Sequence, residues 1–146
     1  MRRSSNARVI LLVEDNPADA RLTKEAFQET GISHRLYVVE DGVEAMSFLQ
    51  RKGGYADAVR PELILLDLNL PKKDGRQVLL EIKSDESLRR IPVVVLTTSV
   101  ADNDILRAYE SQANAYITKP VDMDRFLEIV NAIDKFWFKL ATLPLN

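Results

Sequence analysis

Cysteine is absent from this chain, and histidine occurs once, at His34. Without cysteine there is no disulfide framework, no thiolate-held zinc or iron–sulfur cluster and no thiol nucleophile. A single histidine excludes His-rich metal sites and leaves a Ser–His–Asp triad only one candidate base. No apolar run approaches the about 18 residues that a membrane span needs. Neither sign of charge dominates: 20 Lys and Arg face 22 Asp and Glu, a formal net charge of −2. With no dense basic cluster either, an electrostatic grip on nucleic acid is not expected. Residues 1–8 lack the apolar core of a secretory signal and read as a short disordered tail. What is present is 146 residues at 46% hydrophobic content, enough for one domain with a sizeable core. A soluble, single-domain, cytoplasmic protein is the expectation.

Apolar runs and helical patterns alternate along the chain. Residues 9–13 are apolar throughout, as in a strand covered on both faces. Glu14-Asp15 ends that run, and Asn16-Pro17 offers an N-cap with proline at the first helical position. Ala18, Leu22 and Ala26 then recur at four-residue spacing, which predicts a helix over 17–29 with Gly31 as its stop. A second strand is predicted over 36–39. Asp41-Gly42 opens a helix with Ala45, Met46 and Leu49 inward, and 52–62 forms the longest irregular connection. Residues 63–66 make a third strand, ending at Asp67. Pro71 and Asp74-Gly75 punctuate a loop before a helix carrying Val78, Leu79 and Ile82. Residues 93–96 form a β-branched strand that ends at Thr97, and a helix follows over 102–111. Residues 115–118 are a brief last strand before Lys119-Pro120, and Asp122 caps a final helix to residue 138. Five strands and five helices in alternation predict an α/β fold with a parallel sheet.

The polar residues cluster at strand ends. Glu14 and Asp15 close the first strand, Asp67 the third, Thr97 the fourth and Lys119 the fifth. In an open parallel sheet these ends share one rim, where ligands bind at a topological switch point. If the first and third strands are neighbours, three carboxylates meet there, and they repel one another unless a cation is present. Mg²⁺ suits one or two carboxylates, a backbone oxygen and waters, and Asn69 can lend its carbonyl. Lys119 brings a compact positive charge and Thr97 a hydroxyl. Acids, cation, ammonium and hydroxyl together describe a phosphoryl-binding site, with Asp67 the best-placed covalent acceptor. Taken singly, Asp15 is a loop residue and Thr97 a β-branched strand residue; their convergence carries the reading.

Val13-Glu14-Asp15-Asn16, the run from Leu65 to Pro71, Asp74-Gly75, Thr97 and Lys119-Pro120 stand in the order and spacing of a two-component response-regulator receiver domain. The chain resembles that family over residues 8–138. The resemblance implies a flavodoxin-like, doubly wound, five-stranded parallel sheet in the order 2-1-3-4-5 with helices on both faces. It also implies a phosphoaspartate at Asp67, and Mg²⁺ or another divalent cation such as Mn²⁺ held by Asp15, Asp67 and the Asn69 carbonyl, with Glu14 acting through water. A cis bond between Lys119 and Pro120 and a Thr97–Tyr116 switch pair follow from it as well. The connection over 52–62, the segment from Asp67 to Arg76 and the ending Phe136-Trp137…Thr142-Leu143-Pro144 are similar to phytochrome-associated response regulators, free-standing receivers served by light-sensing histidine kinases. A sensor kinase of phytochrome type is the expected partner. The only catalysis expected is self-phosphotransfer and autodephosphorylation.

The expected domain layout is a tail over 1–8, a receiver over 9–138 and a C-terminal extension over 139–146. After the last helix too little chain follows for a DNA-binding or enzymatic output domain, so output is expected through protein contacts. The last helix carries more apolar residues than one stripe needs. A homodimer through Phe126, Ile133, Phe136, Trp137, Phe138 and Leu143 is therefore expected, unless residues 139–146 fold back over that surface. His34, before the second strand, is expected to be a solvated loop residue. Two other functions fit the acid cluster less well. A Mg²⁺-dependent phosphohydrolase would place a second Asp two residues after its nucleophile, where this chain has Asn69; a phosphorylation-independent scaffold would not need the full acid–Thr–Lys set.

Overall fold

A computed structural model describes residues 8–30, 34–97, 115–118 and 123–135. Five strands, β1 (Arg8–Val13), β2 (His34–Val39), β3 (Leu63–Leu66), β4 (Val93–Thr97) and β5 (Ala115–Thr118), form one sheet in the order β2-β1-β3-β4-β5. All four pairings are parallel. Four α-helices are described: α1 (Pro17–Glu29), α2 (Gly42–Gln50), α3 (Gly75–Ser84) and α4 (Met123–Ile133). A 3-10 turn at Gly53–Tyr55 interrupts the long connection after α2. The helix expected over 102–111, Gly31, Asp122 and the chain from 136 onward lie outside the described residues.

The uniformly apolar strands are explained by helices on both faces of the sheet. Successive side chains of a strand point to opposite faces, so Leu11 and Val13 join α2 and α3 in one core, with Ile64, Leu66, Val93 and Val95. Ile10 and Leu12 join α1 and α4 in the other, with Leu63, Leu65, Val94 and Leu96. The caps explain where the helices start. Asn16 Oδ1 accepts from the Asp19 N–H at 3.1 Å, Asp41 Oδ1 from the Glu44 N–H at 2.8 Å, and Asp74 Oδ2 from the Arg76 N–H at 3.1 Å.

Three expectations need correction. Arg8 is not tail: it pairs with His34 across the β1–β2 ladder. His34 is not a solvated loop residue. It opens β2, its side chain is 4% exposed, its ring meets Phe27 edge-on, and its Nε2 stands 3.5 Å from Asp134 Oδ1. Finally, Phe126 and Ile133 belong to the chain's own core at 1% and 4% exposure, so they are not offered to a second chain. Among the described residues no helix is long and apolar enough to cross a membrane.

Candidate functional site

The rim of the sheet is set by register. β1 lies between β2 and β3, and Val13 stands opposite Leu66, the last residues of their strands. The next residues therefore leave the sheet side by side. The Glu14 N–H donates to the Val39 carbonyl at 3.0 Å and the Asp67 N–H to the Val13 carbonyl at 3.1 Å, extending the ladders one step beyond the strands. The result is an acidic crevice in which a carboxylate oxygen from each of Glu14, Asp15 and Asp67 lies within 4.8 Å of the others.

Burial grades this cluster. Glu14 and Asp67 are 2% and 6% exposed, whereas Asp15 faces solvent. The chain turns back on both buried acids: the Asn16 N–H donates to Glu14 Oε2 at 3.2 Å, and the Asn69 N–H to Asp67 Oδ1 at 2.9 Å. Such N–H bonds fix the orientation of each carboxylate. Three carboxylate oxygens this close, open to water on the Asp15 side, match the donor set of a hard divalent cation.

The loop from Asp67 to α3 is held closely. The Gly75 N–H donates to the Leu68 carbonyl at 3.0 Å. A side chain at Gly75 would bring its Cβ within 2.3 Å of the Asp67 carbonyl oxygen, so only glycine lets α3 begin this near the acid. Farther along, Lys73 Nζ donates to both oxygens of Glu81 at 2.9 and 2.7 Å, and this bond holds the Glu81 carboxyl below its usual range.

Of the residues expected at the site, the structure brings Glu14, Asp15 and Asp67 together and sets Asn69, exposed, two residues beyond Asp67. Thr97 ends β4 and Tyr116 sits in β5 opposite Val95. Their side chains, all of Lys119, and the Lys119–Pro120 bond lie outside the described residues, as do Phe136, Trp137, Phe138 and Leu143. Sequence reasoning missed the close approaches at Gly75 and Gly42. The Asp-Gly pairs that mark both positions were read only as helix openings and loop punctuation.

This fold and acidic rim define a signalling receiver. The chain belongs to the response regulator receiver domain family, whose profile matches residues 10–131. It is similar to response regulator Rcp1 of Synechocystis sp., with 50% identity over 141 residues, 97% of this chain and 96% of that protein. The crystal structure of the phosphorylated cyanobacterial phytochrome response regulator RcpA matches it with a TM-score of 0.90 and 53% identity, over 95% of this chain and 99% of that one. The Mn²⁺-bound form of Rcp1 matches with a TM-score of 0.87 and 51% identity, over 94% and 99%.

Proposed function

We propose that this protein is a phosphoacceptor that takes a phosphoryl group on Asp67 from the phosphohistidine of a phytochrome-type sensor kinase. The observation that carries this reading is the convergence of the Glu14, Asp15 and Asp67 oxygens within 4.8 Å at the sheet rim. It is supported by a phosphorylated relative and a Mn²⁺-bound relative that match nearly the whole chain. Asp15, Asp67 and the Asn69 carbonyl hold Mg²⁺ or Mn²⁺, with Glu14 acting through water. When bound, the cation neutralises charge on the transferring phosphoryl oxygens.

The chain's own residues do the positioning. The Asn69 N–H orients the Asp67 carboxylate. An Asp67 oxygen forms the new P–O bond as the donor's P–N bond breaks, and the departing imidazole nitrogen keeps the electron pair and takes up a proton. Lys119 pairs with the phosphoryl oxygens as a point charge, and Thr97 donates a hydroxyl to them. Tyr116 turns inward as Thr97 moves, which shifts the population between two surfaces around β5. Catalysis is confined to this self-phosphotransfer and to autodephosphorylation. Output runs through protein contacts in the cytoplasm, including a homodimer built on Phe136, Trp137, Phe138 and Leu143.

Acetyl phosphate with and without Mg²⁺, followed by intact mass, tests the assignment. One stable, Mg²⁺-dependent phosphoryl adduct is expected, and Asp67→Asn should abolish it. Full labelling of Asp67→Asn removes Asp67 as the acceptor. Rapid turnover of varied phosphomonoesters would make the protein a hydrolase, and no reaction would leave it a scaffold.

A further inference from the structure

The loop that carries Asn69 touches the rest of the molecule at a second place, the start of α2. Gly42, the first residue of that helix, is buried, and a Cβ there would lie 2.0 Å from the Lys73 carbonyl oxygen and 2.7 Å from the Lys73 Cβ. No side chain fits without moving the loop backbone. Beside it, Asp41 uses one oxygen to cap α2, accepting from the Glu44 N–H at 2.8 Å, and its Oδ2 stands 3.4 Å from Lys72 Nζ. Lys72 has φ of 66°, left-handed backbone that a non-glycine residue adopts at a cost and keeps only where its surroundings hold it. Two residues beyond Lys73, Gly75 lies against Asp67 and Leu68, where the loop begins. The segment bearing Asn69 is thus clamped between Asp67 and α2.

We propose that Gly42 and Asp41 are positioning residues for the cation site: by seating Lys73 and Lys72, they hold the β3–α3 loop where Asn69 reaches the ion. This rests on the cation reading given above. The physical argument is that Asn69 contributes through its backbone, so its reach is set by the loop path and not by a rotamer. A displacement at Lys73 is carried back along the short stretch to Asn69, because Gly75, packed on Asp67 and Leu68, keeps the two ends of the loop from separating. The Lys72 ammonium, attached to the strained residue, is drawn to a carboxylate that is only 5% exposed.

The test is titration of the full chain with Mn²⁺ alone, following the electron paramagnetic resonance signal of the free ion below the unfolding transition. Circular dichroism and thermal melts of each variant accompany it. Gly42→Ala is expected to weaken Mn²⁺ binding by roughly tenfold, at the low end for changes to groups that support metal ligands. Gly54→Ala, where an added Cβ meets nothing within 4 Å, should bind as the parent does. Asp41→Asn keeps the shape and the capping oxygen but loses the charge facing Lys72; it should weaken binding less than Gly42→Ala. A merely structural role would lower the melting temperature and leave the Mn²⁺ Kd unchanged, and a folded Gly42→Ala with the parental Kd overturns the proposal. Should Gly42→Ala fail to fold, an unchanged Kd in Asp41→Asn overturns it instead. If the parent binds no Mn²⁺, or Asp15→Asn binds it as tightly as the parent, the cation reading itself has failed, a result distinct from the others.

Discussion

Tyr55 shows how one contact sets a pH response. Its hydroxyl donates to Glu44 Oε1 at 2.5 Å, while its ring lies 5.4 Å from that of Phe48. The hydrogen bond to Glu44 first, then burial and the negative charges of Glu44 and Asp41, push the phenol from 10.0 up to about 12. The fold therefore favours the protonated phenol. The stability this contributes is complete below pH 10.0 and is lost as pH climbs toward about 12. Lys83 acts in the opposite sense. Burial pushes its ammonium down, although it donates to the Arg89 and Ile91 carbonyls. The unfolded chain then holds the proton more firmly, so stability from this group rises with pH. Tyr55→Phe keeps the ring and isolates the phenol: urea midpoints should fall less steeply between pH 10.0 and about 12 than in the parent. Equal slopes in the two proteins would show that the bond to Glu44 does not couple to folding. None of this was legible in the sequence, because Tyr55 and Glu44 stand eleven residues apart across an irregular connection.

At the scale of elements, most of the pattern was legible. The four caps and starts at Asn16, Asp41, Asp74 and Pro17 rest on local hydrogen bonding and fixed backbone angles, which a short stretch of sequence encodes. The inward stripes of α2 and α3 were legible for the same reason: residues three and four apart share a helix face. In α1 the spacing of Ala18, Leu22 and Ala26 predicted the helix but did not define its inward face. A strict four-residue spacing rotates about 40° per step around a helix, so Ala18 lies far from the face that Thr23, Ala26 and Phe27 bury. Leu79 of α3, 1% exposed, is packed in the core shared with β1, β3 and β4. Leu79→Ala should cost about 2–5 kcal/mol in urea unfolding, through lost burial and a residual cavity. A loss well below that range would mean that α3 collapses readily onto the sheet.

At the scale of the molecule, the parallel order β2-β1-β3-β4-β5 puts β1 and β3 side by side and so assembles the acidic rim. The same architecture spends Phe126 and Ile133 of α4 on the sheet face, together with Ile129 and Val130. If the chain dimerises through residues beyond α4, a chain ending at Lys135 should be monomeric by light scattering while the full chain is dimeric. An unchanged dimer would place the interface elsewhere. The sequence by itself determined the alternation of strands and helices and put acids at the ends of the first and third strands, because periodicity and capping are local properties. Tertiary structure alone decided that Lys73 rests on Gly42, that His34 is buried beside Asp134, and which apolar residues of α4 face inward. These are contacts between segments distant in the chain, and only packing in three dimensions selects among the partners that composition allows.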